Sequence, residues 1–218
     1  MSIGMSFGHR IRHTQRLRQS LRLSQAQRLQ IQEHAFTLRL ALIHELRDER
    51  YEPKAICPAC SRELTPMEII RGFNQDPNDF TTCCSACSRR FEPTLVCFGD
   101  GTYIELPFYC DCQTLAQLQG KETLQPERFA MEYPAIYRSA IVHHGGIRQA
   151  FAKVGIQYAF EEISDWKNKI RSFLGRLPDT IIAECVGTPV ATIRAIRRKL
   201  GVSRCTQSKM LVEAGIEK

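Results

Sequence analysis

Between residues 10 and 50 apolar side chains return every three or four positions, with no proline and no glycine, a pattern that predicts helix. Leu17 and Leu21 share a face, and Leu38, Leu42 and Leu46 form a stripe at spacing four, flanked by Phe36, Leu40 and Ile43. Ser24 followed by Gln27 has the form of a capping box, so a break is expected between a helix over residues 14–23 and a second over 25–50. Thr65, Pro66 and Glu68 predict another capped, shorter helix. Alternating segments at 94–98 and 102–109 around Gly99-Asp100-Gly101 predict a β-hairpin. The polar stretch 120–132, with Pro126, reads as a linker; after it two short helices should meet at Gly145-Gly146, the second ending at Gly155. Ile163, Trp166, Ile170 and Phe173 predict a connecting helix with one buried face.

The chain carries ten cysteines in 218 residues, and four of them stand in two Cys-x-x-Cys pairs, Cys57/Cys60 and Cys84/Cys87. Two such pairs about two dozen residues apart match the thiolate spacing of a tetrahedral zinc site, which predicts a zinc ribbon. The segment between them is polar and turn-rich, so metal binding would supply folding free energy that it cannot obtain from a core of its own. Disulfide partners or plain buried thiols are the alternatives. Residues 1–15 are charged and lack an apolar core of signal-peptide length, so a cytoplasmic location with reduced thiols is expected. Cys83 rivals Cys84 as a ligand, and Cys83, Cys97, Cys110 and Cys112 are candidates for a second metal site, although their spacing fits no common pattern.

The net charge of +7 is unevenly placed. Residues 1–50 hold nine Arg against four acids, residues 51–120 five bases against nine acids, and residues 121–218 sixteen bases against ten acids. A polyanion would meet the basic ends first, although solvated helix faces account for such charge equally well. No run is long and apolar enough to cross a bilayer, so no membrane partner is expected.

Several stretches resemble known families. Residues 179–201 are similar, almost position for position, to the helix-turn-helix of DNA-binding regulators: Ala183 is small where two helices cross, Gly187 suits the turn, and Ile182, Val186, Ile193 and Ile196 form the expected buried set. That resemblance implies duplex DNA as partner, in preference to RNA, bound by Thr188, Ala191, Thr192, Arg194, Arg197, Arg198 and Lys199, with Thr192 at a base or phosphate and Arg197, Arg198 and Lys199 at phosphates. Arg194 is the leading candidate for a guanine contact. Residues 133–156 resemble the small helical repeats that accompany homing endonucleases, and Leu21-Arg22-Leu23-Ser24-Gln25 resembles the polymerase-binding segment of nitrogen-type sigma factors. His143-His144 invites comparison with His-Asn-His nucleases, but no His follows His144 and adjacent helical residues point about 100° apart. No phosphate-binding Gly-rich loop or nucleophile elbow is present, so no enzymatic activity is expected.

The chain therefore reads as an α+β protein, mainly helical, in four parts: a basic helical arm (1–50), a zinc ribbon with β-hairpin (51–120), a small helical module (121–160) and a helix-turn-helix domain (161–218). The expected function is sequence-directed DNA binding in transcription regulation, with zinc as cofactor. A non-catalytic subunit or scaffold of an RNA polymerase or ribonucleoprotein assembly is the alternative. The apolar face within residues 14–50 needs a partner surface, which the ribbon, a second copy or a larger assembly would provide.

Overall fold

A computed structural model describes residues 23–216 as a mainly helical α+β fold organised around one long helix. That helix, α1 (Gln25–Arg47), begins at the expected capping box: Ser24 Oγ accepts from Gln27 N at 3.2 Å and Gln27 Oε1 accepts from Ser24 N at 3.0 Å. Residues 14–22 of the helix expected over 14–23, among them Leu21 and Arg22 of the sigma-like phrase, lie outside the described residues.

α1 ends three residues earlier than expected, where Asp48 takes a left-handed conformation and its N–H bonds His44 O at 2.8 Å. The chain then enters β1 (Glu49–Lys54), a strand the helical pattern concealed. Its inward positions are Tyr51 and Pro53, and Ala55 continues the alternation.

The capped helix α2 (Pro66–Gly72) follows, then two short paired strands, β2 (Thr82–Cys83) and β3 (Arg90–Phe91). The expected hairpin is β4 (Thr94–Gly99) and β5 (Thr102–Pro107), turning through Asp100 and Gly101, both at positive φ. It is not free-standing. β1 pairs antiparallel along β4, Glu49 opposite Gly99 through Lys54 opposite Thr94, giving the sheet order β1-β4-β5.

The remaining helices are α3 (Asp111–Ala116), α4 (Pro126–Glu132), α5 (Pro134–His144), α6 (Ile147–Lys153), α7 (Trp166–Lys169), α8 (Asp179–Val186), α9 (Val190–Lys199) and α10 (Gln207–Glu213), with a 3-10 turn at Arg171–Phe173. The expected linker contains α4, held by fully buried Phe129. The expected connecting helix is reduced to α7 and the 3-10 turn. Of its proposed buried face, Ile170 and Phe173 are buried while Ile163 and Trp166 are half-buried.

One cluster of buried side chains runs from Leu42 and Ile43 of α1 through Tyr51, Leu95, Phe108, Phe129, Ile141 and Phe151 to Ile182 and Ile193. The apolar stripe of α1 is spent inside the chain: the helix packs on β1, α2, α5, α7, α8 and α10. Gly145 shows how closely the parts meet. At φ 83° it ends α5 in the left-handed region, and a Cβ there would stand 2.7 Å from the Cα of Cys185 on α8.

His143 and His144 have separate surroundings. His143 stacks on Phe108, centroids 5.1 Å apart, and its Nε2 lies 2.7 Å from Tyr109 O; burial pushes its pKa down to about 4. Buried His144 lies between Asp111 Oδ1, 2.9 Å from its Nε2, and Lys153 Nζ, 2.8 Å from its Nδ1. Because folded His143 resists protonation while an unfolded histidine binds a proton near pH 6.5, its share of stability is complete above about pH 6.5 and falls away down to about pH 4. Unfolding free energies from urea titrations across that window should therefore fall with acid by about 3 kcal/mol in the native chain and fall less in His143→Phe.

Candidate metal centre and candidate nucleic-acid interface

Two backbone turns of the same construction bring four sulfurs together. In the first, Ser61 N donates to Cys57 O at 2.8 Å and Cys57 N donates to Arg62 O at 2.9 Å. In the second, Ser88 N donates to Cys84 O at 2.9 Å and Cys84 N to Arg89 O at 2.9 Å. Ser61 and Ser88 hold matching positive φ values of 56° and 60°. The repeated phrase Ala-Cys-Ser-Arg at 59–62 and 86–89 is the sequence trace of this repeated turn, a signal beyond the cysteine spacing.

The sulfurs of Cys57, Cys60, Cys84 and Cys87 all lie within 4.8 Å of one another, with Cys57 to Cys87 at 3.4 Å and Cys60 to Cys84 at 3.7 Å. A tetrahedron with metal–sulfur bonds of about 2.3 Å has edges of about 3.8 Å, so the four fit one ion. Cys57 and Cys84 are buried and Cys60 and Cys87 exposed, which sets the centre at the rim of the fold.

The protonation chemistry agrees with that donor set. Burial would raise the Cys57 thiol, but the N–H groups of Ala59 and Cys60 bring it down to about 6. The N–H groups of Ala86 and Cys87 lower Cys84 in the same way. The Arg89 N–H favours the Cys87 thiolate, yet the Cys57 sulfur beside it and burial push Cys87 up to about 12. Four thiolates this close need a cation between them.

Arg62 ties the turns together. It donates to Ser85 Oγ at 3.0 Å and pairs with Glu68, which also accepts from Ser85 at 2.9 Å and closes the α2 capping box through Thr65 N at 2.9 Å.

Cys83 stands outside the group, its sulfur 3.8 Å from Cys84 O. Cys97 is buried on β4 near Glu49 and Arg138, and Cys110 and Cys112 adjoin each other at the start of α3. Among the described residues no second cluster of three or more Cys, His, Asp or Glu forms.

The second region is the α8–α9 pair. Gly187 ends α8 at φ 74°, and the N–H groups of Gly187 and Thr188 both bond Ala183 O, at 2.9 and 3.1 Å. α9 starts two residues beyond Thr188 and packs against α8. Ile182 and Ile193 are buried as expected, Val186 and Ile196 are half-buried, and Cys185 joins the core.

Of the residues expected at nucleic acid, Ala191, Arg194, Arg198 and Lys199 are exposed, while Thr188 and Thr192 are half-buried. Arg197 corrects the expectation. Its guanidinium turns inward, bidentate to Asp179 at 2.9 and 3.0 Å and donating to Val202 O at 3.0 Å, so it clamps α9 to the start of α8 instead of facing a phosphate. No hydrophobic pattern signals this pair, because Asp179 lies 18 residues upstream on another helix. Asp179→Ala should cost about 2 kcal/mol and release α9, read as faster amide exchange along Val190–Lys199 than in Asp179→Asn.

Compared with protein-family models, with curated proteins and with solved structures, the chain matches none. Among the described residues no helix is long and apolar enough to cross a membrane.

Proposed function

We propose that the chain is a non-enzymatic duplex-DNA-binding regulator in which a structural zinc ion holds the ribbon and α9 enters the major groove. The observation that carries the reading is the exposure of Arg194, Arg198 and Lys199 on a helix whose opposite face, through Ile193, is locked into the core. Among the described residues these three side chains have neither an ion pair nor a hydrogen bond, so binding phosphate or a base edge breaks no internal contact there. Arg194, on the exposed face of α9, supplies a fork suited to guanine, and Arg198 and Lys199 follow towards the flanking phosphates.

Zinc is the ion of choice for the four-cysteine centre because four thiolates in a closed tetrahedron leave no position for substrate, the pattern of a structural site. The exposed basic helix favours duplex DNA over the alternative of a polymerase or ribonucleoprotein subunit, which would use the same charges on protein or structured RNA.

Fluorescence anisotropy on mixed-sequence duplex DNA at two salt concentrations tests the reading. Native protein should bind with salt-sensitive affinity, and Arg194→Ala/Arg198→Ala should weaken it by about tenfold or more while leaving thermal stability unchanged. Equal binding by the double variant, or tighter binding to structured RNA, would rule the duplex-DNA reading out.

A further inference from the structure

Cys110 and Cys112 flank Asp111 at the first turn of α3, with their sulfurs 3.1 Å apart. The two are unequally accessible. Cys110 is buried, and its sulfur accepts from Gln113 N at 3.3 Å as the cap of α3. Cys112 is half-buried, its sulfur 3.7 Å from Asn74 O in the loop before β2.

Among the described residues no third donor completes a metal site around them. Asp111, the nearest acid in sequence, is turned to His144 at 2.9 Å, and the remaining cysteines of the ribbon lie elsewhere. A dithiol at this distance, with one partner reachable and the other sheltered, has the arrangement of an attacking and a resolving thiol.

We propose that Cys110 and Cys112 form a reversible disulfide by exchange with low-molecular-weight disulfides. The Cys112 thiolate attacks one sulfur of the small disulfide, forming a mixed disulfide and expelling one small thiolate. The Cys110 thiolate then attacks the Cys112 sulfur, closing the protein disulfide and expelling the second small thiolate. The protein pair loses two electrons and its two thiol protons; the small disulfide gains both and leaves as two thiols. Closure needs the sulfurs to approach by about 1 Å, to the covalent length of about 2.05 Å. Burial and the neighbouring Cys112 sulfur push the Cys110 thiol up to about 11, which suits it to act second.

The consequence is local and structural. Closing the ring withdraws the Cys110 sulfur from the Gln113 N–H and the Cys112 sulfur from Asn74. Gln113 Nε2 also donates to Pro77 O at 3.4 Å, so oxidation strikes the junction between the 74–79 loop of the ribbon and the helical half.

The test incubates the full-length, metal-loaded protein in glutathione buffers from fully reduced to fully oxidised, alkylates free thiols in acid and maps peptides by mass spectrometry. No Lys or Arg lies between Arg90 and Lys121, so trypsin releases Cys97, Cys110 and Cys112 on one peptide, and fragmentation separates them.

In oxidised buffer the peptide should lose two hydrogens at Cys110 and Cys112, leave Cys97 free, and revert with dithiothreitol. Cys110→Ser keeps an acceptor for the Gln113 N–H, and it should accumulate one glutathione on Cys112. Cys112→Ser should take up less than a tenth as much glutathione at Cys110, because that sulfur is buried. An alkylated pair in fully oxidised buffer, or native protein that stops at a glutathione adduct on Cys112, would overturn the proposal.

Discussion

Cys57→Ser should abolish metal binding and unfold the ribbon from residue 55 to residue 91. The regular structure between those positions is slight: α2 has seven residues, and β2 and β3 have two each. The two cysteine turns are held by four backbone hydrogen bonds, by the exposed contacts of Arg62 with Ser85 and Glu68, and by whatever the sulfurs grip. A structural zinc site of four thiolates contributes about 10–16 kcal/mol at neutral pH, comparable with or larger than the whole stability of a typical domain.

The native protein should carry one zinc per chain by elemental analysis, and Cys57→Ser none. Hydrogen exchange over 55–91 should rise to the unfolded rate in the variant, while α5 and α8 keep part of their protection. A Cys57→Ser protein with native exchange rates over 55–91 would remove the metal centre from the account. Cys83→Ser should retain the ion, because its sulfur stands outside the four.

The second large effect is expected at Arg47 and Glu162. Their side chains are 8% and 4% exposed and 3.2 Å apart. Arg47 also donates to Gly145 O at 3.1 Å, while Glu162 accepts from the N–H groups of Ile147 and Arg148 at 3.0 Å each, capping α6. One ion pair therefore joins the end of α1, the α5–α6 corner and the segment before α7.

Removing either partner alone strands a buried charge, so Glu162→Ala and Arg47→Ala should each lose about 3–5 kcal/mol in urea denaturation. The double variant should lose distinctly less than the sum of the two. Additive losses would mean that the pair is not coupled, and that its two members stabilise the fold through separate contacts.

These two sites were legible in the sequence to very different degrees. Metal chemistry leaves a local signature: each turn must offer two sulfurs, so Cys-x-x-Cys appears twice, and Cys57, Cys60, Cys84 and Cys87 were named from spacing alone. Capping boxes and the Gly99-Asp100-Gly101 turn are equally local, since every partner lies within three residues. They came out as expected. Arg47 and Glu162 are 115 residues apart, and neither lies in a motif. Arg197 looked like one more basic residue on a recognition helix, because nothing along the chain marks Asp179 as its partner.

Local backbone preference and periodicity thus determined where the helices begin at Gln25 and Pro66, the hairpin, the cysteine turns and the small-residue corners, because those signals are carried by neighbours in sequence. Tertiary structure decided what the pieces become together. Residues 49–54 have the composition of a helix end or loop, yet they form a strand because β4 offers an unpaired edge and the core has room for Tyr51. The stripe on α1 left open whether the ribbon, a second copy or a larger assembly covers it; folding made it the centre of this chain, since burying Leu38, Leu42, Ile43 and Leu46 against β1, α2, α5 and α8 removes from water an apolar face that no isolated helix can hide.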